Sequence, residues 1–409
     1  MKTDGLVVKT SSPGLQVRAG WVLMTACTAL VLAGAAGAAE PKIPTQLGKE
    51  ITSTLQDEPI ILSAPPSNAK RVYVTDPGHF NVTSQVFSID GEKSKLLGMT
   101  DAGKLPHVMA SHDGKFFAVA NTLFARIARG QRNDYIDLVD AQTHDLIAEI
   151  DIPEGRFLSA TLERMATLSN DDKFLLFQQF SPSPAVGIVD VANRSFVKMV
   201  DVPDCYHLFP AAQNTFFMHC RDGSLLKVGY DGKGEIKQEN TKVFHPEDDY
   251  LFNNPAYSAK AGRLVWPSYE GNIYQADLTA DGATFAKVFN AFTEEERKQK
   301  WRPGGWMTVT YHRPSDTIYL LADQREKWTH KLPSRFVFAL EAKTGKRISK
   351  IELGHEVDSI GISQDDKPVL YAVSAIDRTL YMYDPATGKE TGKVDELGKA
   401  PLMLTIPEL

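Results

Sequence analysis

"SHDGKFFAVANT" (residues 111–122), followed by "DYIDLVDAQTHDLIAEIDIP" (134–153), decides how this 409-residue chain folds. A turn rich in Asp and Gly leads into a short apolar strand. After a polar interruption a second strand ends at Asp, another turn follows, and a final strand closes the unit. Val, Ile, Leu, Phe and Tyr dominate these short runs, and a run of that length suits a strand better than a helix. The grammar returns in "SNDDKFLLFQQF" (169–180) with "AVGIVDVANRSFVKMVDVP" (185–203). It returns again in "YHRPSDTIYLLAD" (311–323) with "RFVFALEAKTGKRISKIEL" (335–353), and in "SQDDKPVLYAVSA" (363–375) with "TLYMYDPATGKETGKVDEL" (379–397). Weaker copies start at "AKRVYVTD" (69–76), "QNTFFMHC" (213–220) and "KAGRLVWPS" (260–268). Seven copies about fifty residues apart match the four-stranded blades of a β-propeller. The expected fold is therefore all-β: a seven-bladed β-propeller of four-stranded antiparallel blades. A β-sandwich or a pair of barrels is the alternative, and it accounts less well for seven copies of one unit.

One stretch breaks the pattern. "NAFTEEERKQKW" (290–301) reads as a helix inserted between blades, with Thr293 as its cap and Glu296 completing a capping box.

The first forty residues set the expected compartment. Lys2, Lys9 and Arg18 precede the apolar run "WVLMTACTALVLAGAAGAA", which ends in an Ala-x-Ala site at Ala36–Ala38. That is the layout of a cleaved secretory signal, residues 1–38, with a membrane anchor as the competing reading. An arm (39–57) and a single propeller domain (58–409) would follow. Cleavage removes Lys2, Lys9 and Arg18 but only one acid, Asp4, and takes the formal net charge from −6 to −8. An acidic exported chain lacks the basic face that nucleic acid requires. No later apolar stretch is long enough to span a bilayer. We expect a soluble periplasmic protein that binds neither nucleic acid nor membrane.

Cys27 would leave with the signal, so Cys205 and Cys220 remain as a lone pair. In an oxidising compartment such a pair forms a disulfide, here expected to tie the end of one blade to an early strand of the next. The sharper alternative is a metal site, since His207, Met218 and His219 stand close by. His219 and Cys220 are neighbours on a strand, however, and point to opposite faces, so a disulfide is expected and no metal. Dinucleotide, P-loop, haem-attachment, zinc-protease and nucleophile-elbow motifs are missing. The ten histidines have no metal-ligand spacing. A catalytic ring at the channel mouth, one residue per blade, would leave no linear motif.

"DPGHF", "RIARGQRNDY", "QFSPSPAVGIVD", "DVPDCYHLFP", "VFHPEDDYL", "AGRLVWPSY", "WRPGGW", "DQREKWTHK" and "GHEVDSI" together resemble the heavy subunit of methylamine dehydrogenase. The resemblance runs from about residue 55 to about residue 400; aromatic amine dehydrogenase is a more distant relative. It implies an α2β2 heterotetramer with a small light subunit that carries tryptophan tryptophylquinone. It also implies oxidation of primary amines, methylamine giving formaldehyde and ammonia, with electrons passed to amicyanin, a blue-copper protein. On this reading the chain holds no cofactor and no catalytic residue, and is inactive alone. Phe80, in "DPGHF", matches a phenylalanine that lines the family's substrate channel. Arg126, Arg129 and Arg132 are either a solvated face or a contact for an acidic surface of the light subunit. Trp301 and Trp306 bracket a Pro-Gly-Gly turn and are either exposed, as an interface hot spot, or buried, capping a blade; with the charged stretch 323–331 they are further candidates for the subunit interface. The alternative remains a stand-alone exported propeller, a binding protein or a hydrolase. An acid or amide ring in the channel would favour it, whereas a broad, partly apolar face would favour a subunit.

Overall fold

A computed structural model describes residues 63–78, 83–127, 129–156, 158–231 and 233–409. The expected signal (1–38), the arm (39–57) and Phe80 lie outside these residues.

Two-sided burial makes the strands. Side chains alternate across a strand, so a continuously buried run such as "TLYMY" (Thr379–Tyr383) must be covered on both faces. On Thr215–Cys220, Phe216 and Met218 pack against Val186 and Ile188, while Phe217 packs on the other side with Trp266. Outer strands such as Ile236–Val243 are largely exposed and polar.

The described strands form seven antiparallel sheets. Blade 1 runs from the inside outward as Lys104–Ala110, Phe116–Arg126, Arg129–Asp140 and Leu146–Asp151. Blades 2, 3, 4 and 6 begin with the inner strands Ala166–Leu168, Cys205–Ala211, Ala256–Ser258 and Ser359–Ile362. In blade 5 the inner edge is shared by Trp301–Pro303 and Val309–His312. Blade 7 joins the two ends of the sequence: Met403–Thr405 pairs with Arg71–Asp76, inside Ser84–Asp90 and Lys95–Ala102. Seven hydrophobic clusters, one at each junction between neighbouring blades, close the ring.

The repeating turns have a chemical basis. Ser111 and Ser169 each accept the backbone N–H five residues on and donate to the Asp two residues on. Ser363 likewise donates to Asp365. The Asp that ends the third strand accepts the next turn's N–H groups, Asp140 from Gln142 and Thr143, and Asp384 from Ala386. These side chains replace ladder partners that the reversing backbone lacks.

Two expectations need adjustment. The repeated unit read from sequence covers only the second to fourth strands; the inner strand precedes it. Cys205 and Cys220 consequently lie in one blade, as register partners on adjacent strands, and do not bridge successive blades. "DVP" before Cys205 finishes blade 2, and the cysteine itself opens the inner strand of blade 3. The helix is present but short, Glu294–Lys298, with the full Thr293–Glu296 capping box.

Candidate functional site

Antiparallel order sorts the connections onto two ends of the ring. The tight Ser/Asp turns share one end. The hairpins between second and third strands share the other with the crossovers that lead from each outer strand to the next blade. Most of the charged and aromatic residues singled out in the sequence fall on this crossover face, and so do many exposed apolar ones. Leu123 and Ile127 stand on the blade 1 hairpin and Phe180 on that of blade 2. Val243 and Tyr250 flank the crossover into blade 4, Trp328 and Leu332 the blade 5 hairpin, and Ile376 that of blade 6. The remaining large exposed apolar residues, among them Leu96, Met99 and Ile348, lie on or beside outer strands.

At the centre of this face the channel mouth is spanned by a polar chain. Arg164 Nη2 donates to Glu163 Oε1 at 2.8 Å and to the Tyr257 carbonyl at 2.9 Å. The Glu163 N–H donates to Asn254 Oδ1 at 2.9 Å, and Asn254 Nδ2 donates to the Trp306 carbonyl at 3.0 Å. Burial raises the Glu163 carboxyl above its ordinary range, against the pull of Arg164. Behind the mouth, the cavity of about 140 Å³ is lined by apolar side chains such as Val108, Leu168 and Ile360 and by Glu163, Arg164, Gln364 and Glu408. The lining is thus mixed, with two acids and an amide beside the apolar groups.

Beside the mouth stands an aromatic cluster. Trp328 is 59 % exposed and meets Tyr250 and Tyr269 edge-on at 5.6 and 6.1 Å, while Tyr269 stacks on His330 at 3.9 Å. A pocket of about 110 Å³ lies beside these rings, lined also by Asp248, Asp249, Glu270 and Arg302, and Lys327 Nζ sits 5.4 Å from the Trp328 ring. Arg325 holds the loop that carries them: its guanidinium donates to the carbonyls of Thr329, Leu332 and Pro333 at 2.8–2.9 Å. Gly304 lies flat against that guanidinium, where a Cβ would come within 2.2 Å of Arg325 Cζ. Trp328 is thus displayed by a loop that its own hydrogen bonds hold in place.

The cysteine stretch builds a third feature. The Cys205–Cys220 disulfide is buried toward blade 2, while His219 points the other way, onto Trp266 at 4.8 Å. His245 Nδ1 donates to the Pro246 carbonyl, so its Nε2 is the acceptor for His219 Nε2–H at 2.7 Å. Burial, then the neighbouring His245, push His219 down to about 3; burial pushes His207 down to about 4. At neutral pH these rings are uncharged packing groups around Trp266. Among the described residues no group of three or more His, Cys, Asp or Glu is arranged to hold a metal ion.

The profile of the family described as "Methylamine dehydrogenase heavy chain (MADH)" matches residues 68–407. The chain belongs to the methylamine dehydrogenase heavy chain family. The heavy chain of Methylophilus methylotrophus is 60 % identical over 365 residues, covering 89 % of this chain and 90 % of that one. The heavy chain of Methylobacillus flagellatus is 56 % identical over 384 residues, covering 94 % and 96 %. The Cps50 (Swd1) β-propeller domain of Myceliophteria thermophila is 12 % identical with a TM-score of 0.51, covering 83 % of this chain and 96 % of that one, and shows the fold alone.

Within this heavy-chain fold the nominated residues separate. Trp301 is 6 % exposed, packed edge-on against Phe336 and Phe338 under Lys350 Nζ, 3.7 Å from its ring. It is a core residue of blade 5, the buried alternative for this tryptophan. Trp306 is half-buried at the channel mouth, its Nε1 donating to Met403 Sδ. Arg132 pairs with buried Asp134 at 2.7 Å, whereas Arg126 and Arg129 are exposed at a hairpin tip. Sequence reasoning passed over Tyr250, Tyr269 and Asn254. Tyr250 and Asn254 lie in the crossover into blade 4 and Tyr269 in that blade's hairpin, and none belongs to a linear motif.

Proposed function

We propose that this heavy chain is the scaffold subunit of a periplasmic methylamine dehydrogenase. It pairs as α2β2 with a small light subunit that carries tryptophan tryptophylquinone, and the assembly oxidises methylamine to formaldehyde and ammonia with amicyanin as electron acceptor. The observation that carries this reading is the crossover face, whose exposed apolar side chains extend over the connections of most blades around a mouth closed by its own hydrogen bonds. A surface of that breadth and composition is what an obligate partner covers. The quinone, when bound in the light subunit, supplies the two-electron chemistry. The part assigned to this chain is to seat that subunit, to wall the reacting centre against water, and to limit what enters. The isolated chain is accordingly inactive.

Phe80 is assigned to the wall of the substrate channel. An apolar wall discriminates by roughly 1–3 kcal/mol per methylene. Phe80→Ala in the assembled enzyme therefore raises kcat/KM for propylamine or butylamine relative to methylamine by about tenfold or more. Steady-state kinetics over a series of n-alkylamines reads this directly, and an unchanged chain-length profile removes Phe80 from the channel.

A further inference from the structure

The hairpin of blade 1 outgrows its sheet. The inner strand pairs with Phe116–Arg126 only as far as Thr122, and the outer strand pairs with Arg129–Asp140 only from Tyr135 onward. Between these limits Leu123 pairs with Asn133, Phe124 with Arg132 and Arg126 with Arg129, with no third strand on either side among the described residues. At about 3.4 Å per residue the ribbon stands roughly 13 Å clear of the blade. A two-stranded ribbon is at best marginally stable in water on its own.

Its root is fixed. Buried Asp134 accepts Thr122 Oγ1 at 2.6 Å, Arg132 Nε at 2.7 Å and the Arg156 N–H at 3.0 Å. Arg156, 1 % exposed, donates to the Leu105 carbonyl and to Thr122, and its Nη1 meets His107. Its tip is unsatisfied. Arg126 and Arg129 face each other directly across the ladder, an arrangement that like charges make unfavourable. Among the described residues neither has a carboxylate partner, in a chain whose net charge is −6. Ile127, beside them, is 60 % exposed.

We propose that this ribbon is a docking arm, held ready by the Asp134–Arg156 root, that grips an acidic patch bordered by apolar surface on the light subunit. The inference rests on the scaffold reading above. The acidic patch relieves the repulsion between Arg126 and Arg129, and Ile127 supplies the apolar contact. Association then includes an ionic component that salt screens.

The test uses the full heavy chain co-produced with its light subunit. In R126E/R129E, retention of the light subunit at low salt falls at least tenfold, and the decline of retention with added salt seen for the wild type flattens. The single variant R126E separates docking from folding. It turns the unfavourable cross-strand pair into a favourable one, so the heavy chain by itself melts slightly higher while the complex becomes weaker. Wild-type affinity in both variants overturns the proposal. So does a variant that keeps its light subunit but splits the tetramer into αβ halves, because that places the arm between copies. If the wild-type chain brings down no second subunit, it is the scaffold reading that has failed.

Discussion

Removing residues 403–409 abolishes cooperative folding of this chain. Met403–Thr405 is the inner strand of blade 7 and pairs with Tyr73–Thr75, more than 300 positions earlier in the sequence. Met403 and Leu404 are 5 % and 2 % exposed in the cluster that joins blades 6 and 7. Burying two such side chains contributes about 2–3 kcal/mol each, and each lost ladder hydrogen bond about 1 kcal/mol more. Their sum approaches the 5–15 kcal/mol that typically separates folded from unfolded chains. The cut also uncovers the inner edge of Arg71–Asp76 and removes the strand that joins the two ends of the sequence in one blade. Denaturant unfolding and limited proteolysis read the outcome. A shorter deletion that removes only Glu408 and Leu409 spares the strand and keeps a near-wild-type transition. A cooperative transition of wild-type midpoint in the longer deletion would show that the ring does not depend on this strand.

The second large effect comes from the disulfide. Cys205→Ala with Cys220→Ala lowers stability by about 3 kcal/mol, the loop-entropy value for a link spanning 15 residues. The location adds a local consequence. Just past Cys205 the ladder slips register between Tyr206 and Phe209, and His207 adopts a φ of 62°. Gln178 holds this bulge by donating to the Cys205 carbonyl and accepting the His207 N–H. The cross-link pins one side of the bulge, and the bulge seats His207 against Trp266 at 5.1 Å. Guanidinium unfolding of the double variant, with tryptophan fluorescence as the probe, reads both effects. An unchanged midpoint would contradict the account, as would two free thiols in non-reduced wild-type protein.

The fold was legible because its turns repeat a chemistry, Ser-x-Asp before the second strand and a terminal Asp after the third, which no single blade could have made convincing. The inner strands were not legible. Ala256–Ser258 and Met403–Thr405 are three residues long, carry no period of their own, and gain their partners only when the ring closes. That blindness misplaced Cys205 by one blade. Exposure at the site was equally hidden: nothing in "WRPGGW" itself shows that Trp301 is in the core, because Phe336 and Lys350, some 35 to 50 positions later, close over it. The arginine triplet divided in the same way. Arg132 found a buried carboxylate two residues away, and Arg126 and Arg129 found only each other. What the chain does was carried by the resemblance of its linear stretches, since a surface assembled from seven blades leaves no motif.

The central claim is that this chain works as half of an assembly. Its most direct test is gentle purification of the mature protein from its native host, followed by one denaturing gel and one visible spectrum. The account predicts a small second subunit and a quinone absorbance that bleaches when methylamine is added. A lone, colourless propeller would contradict it.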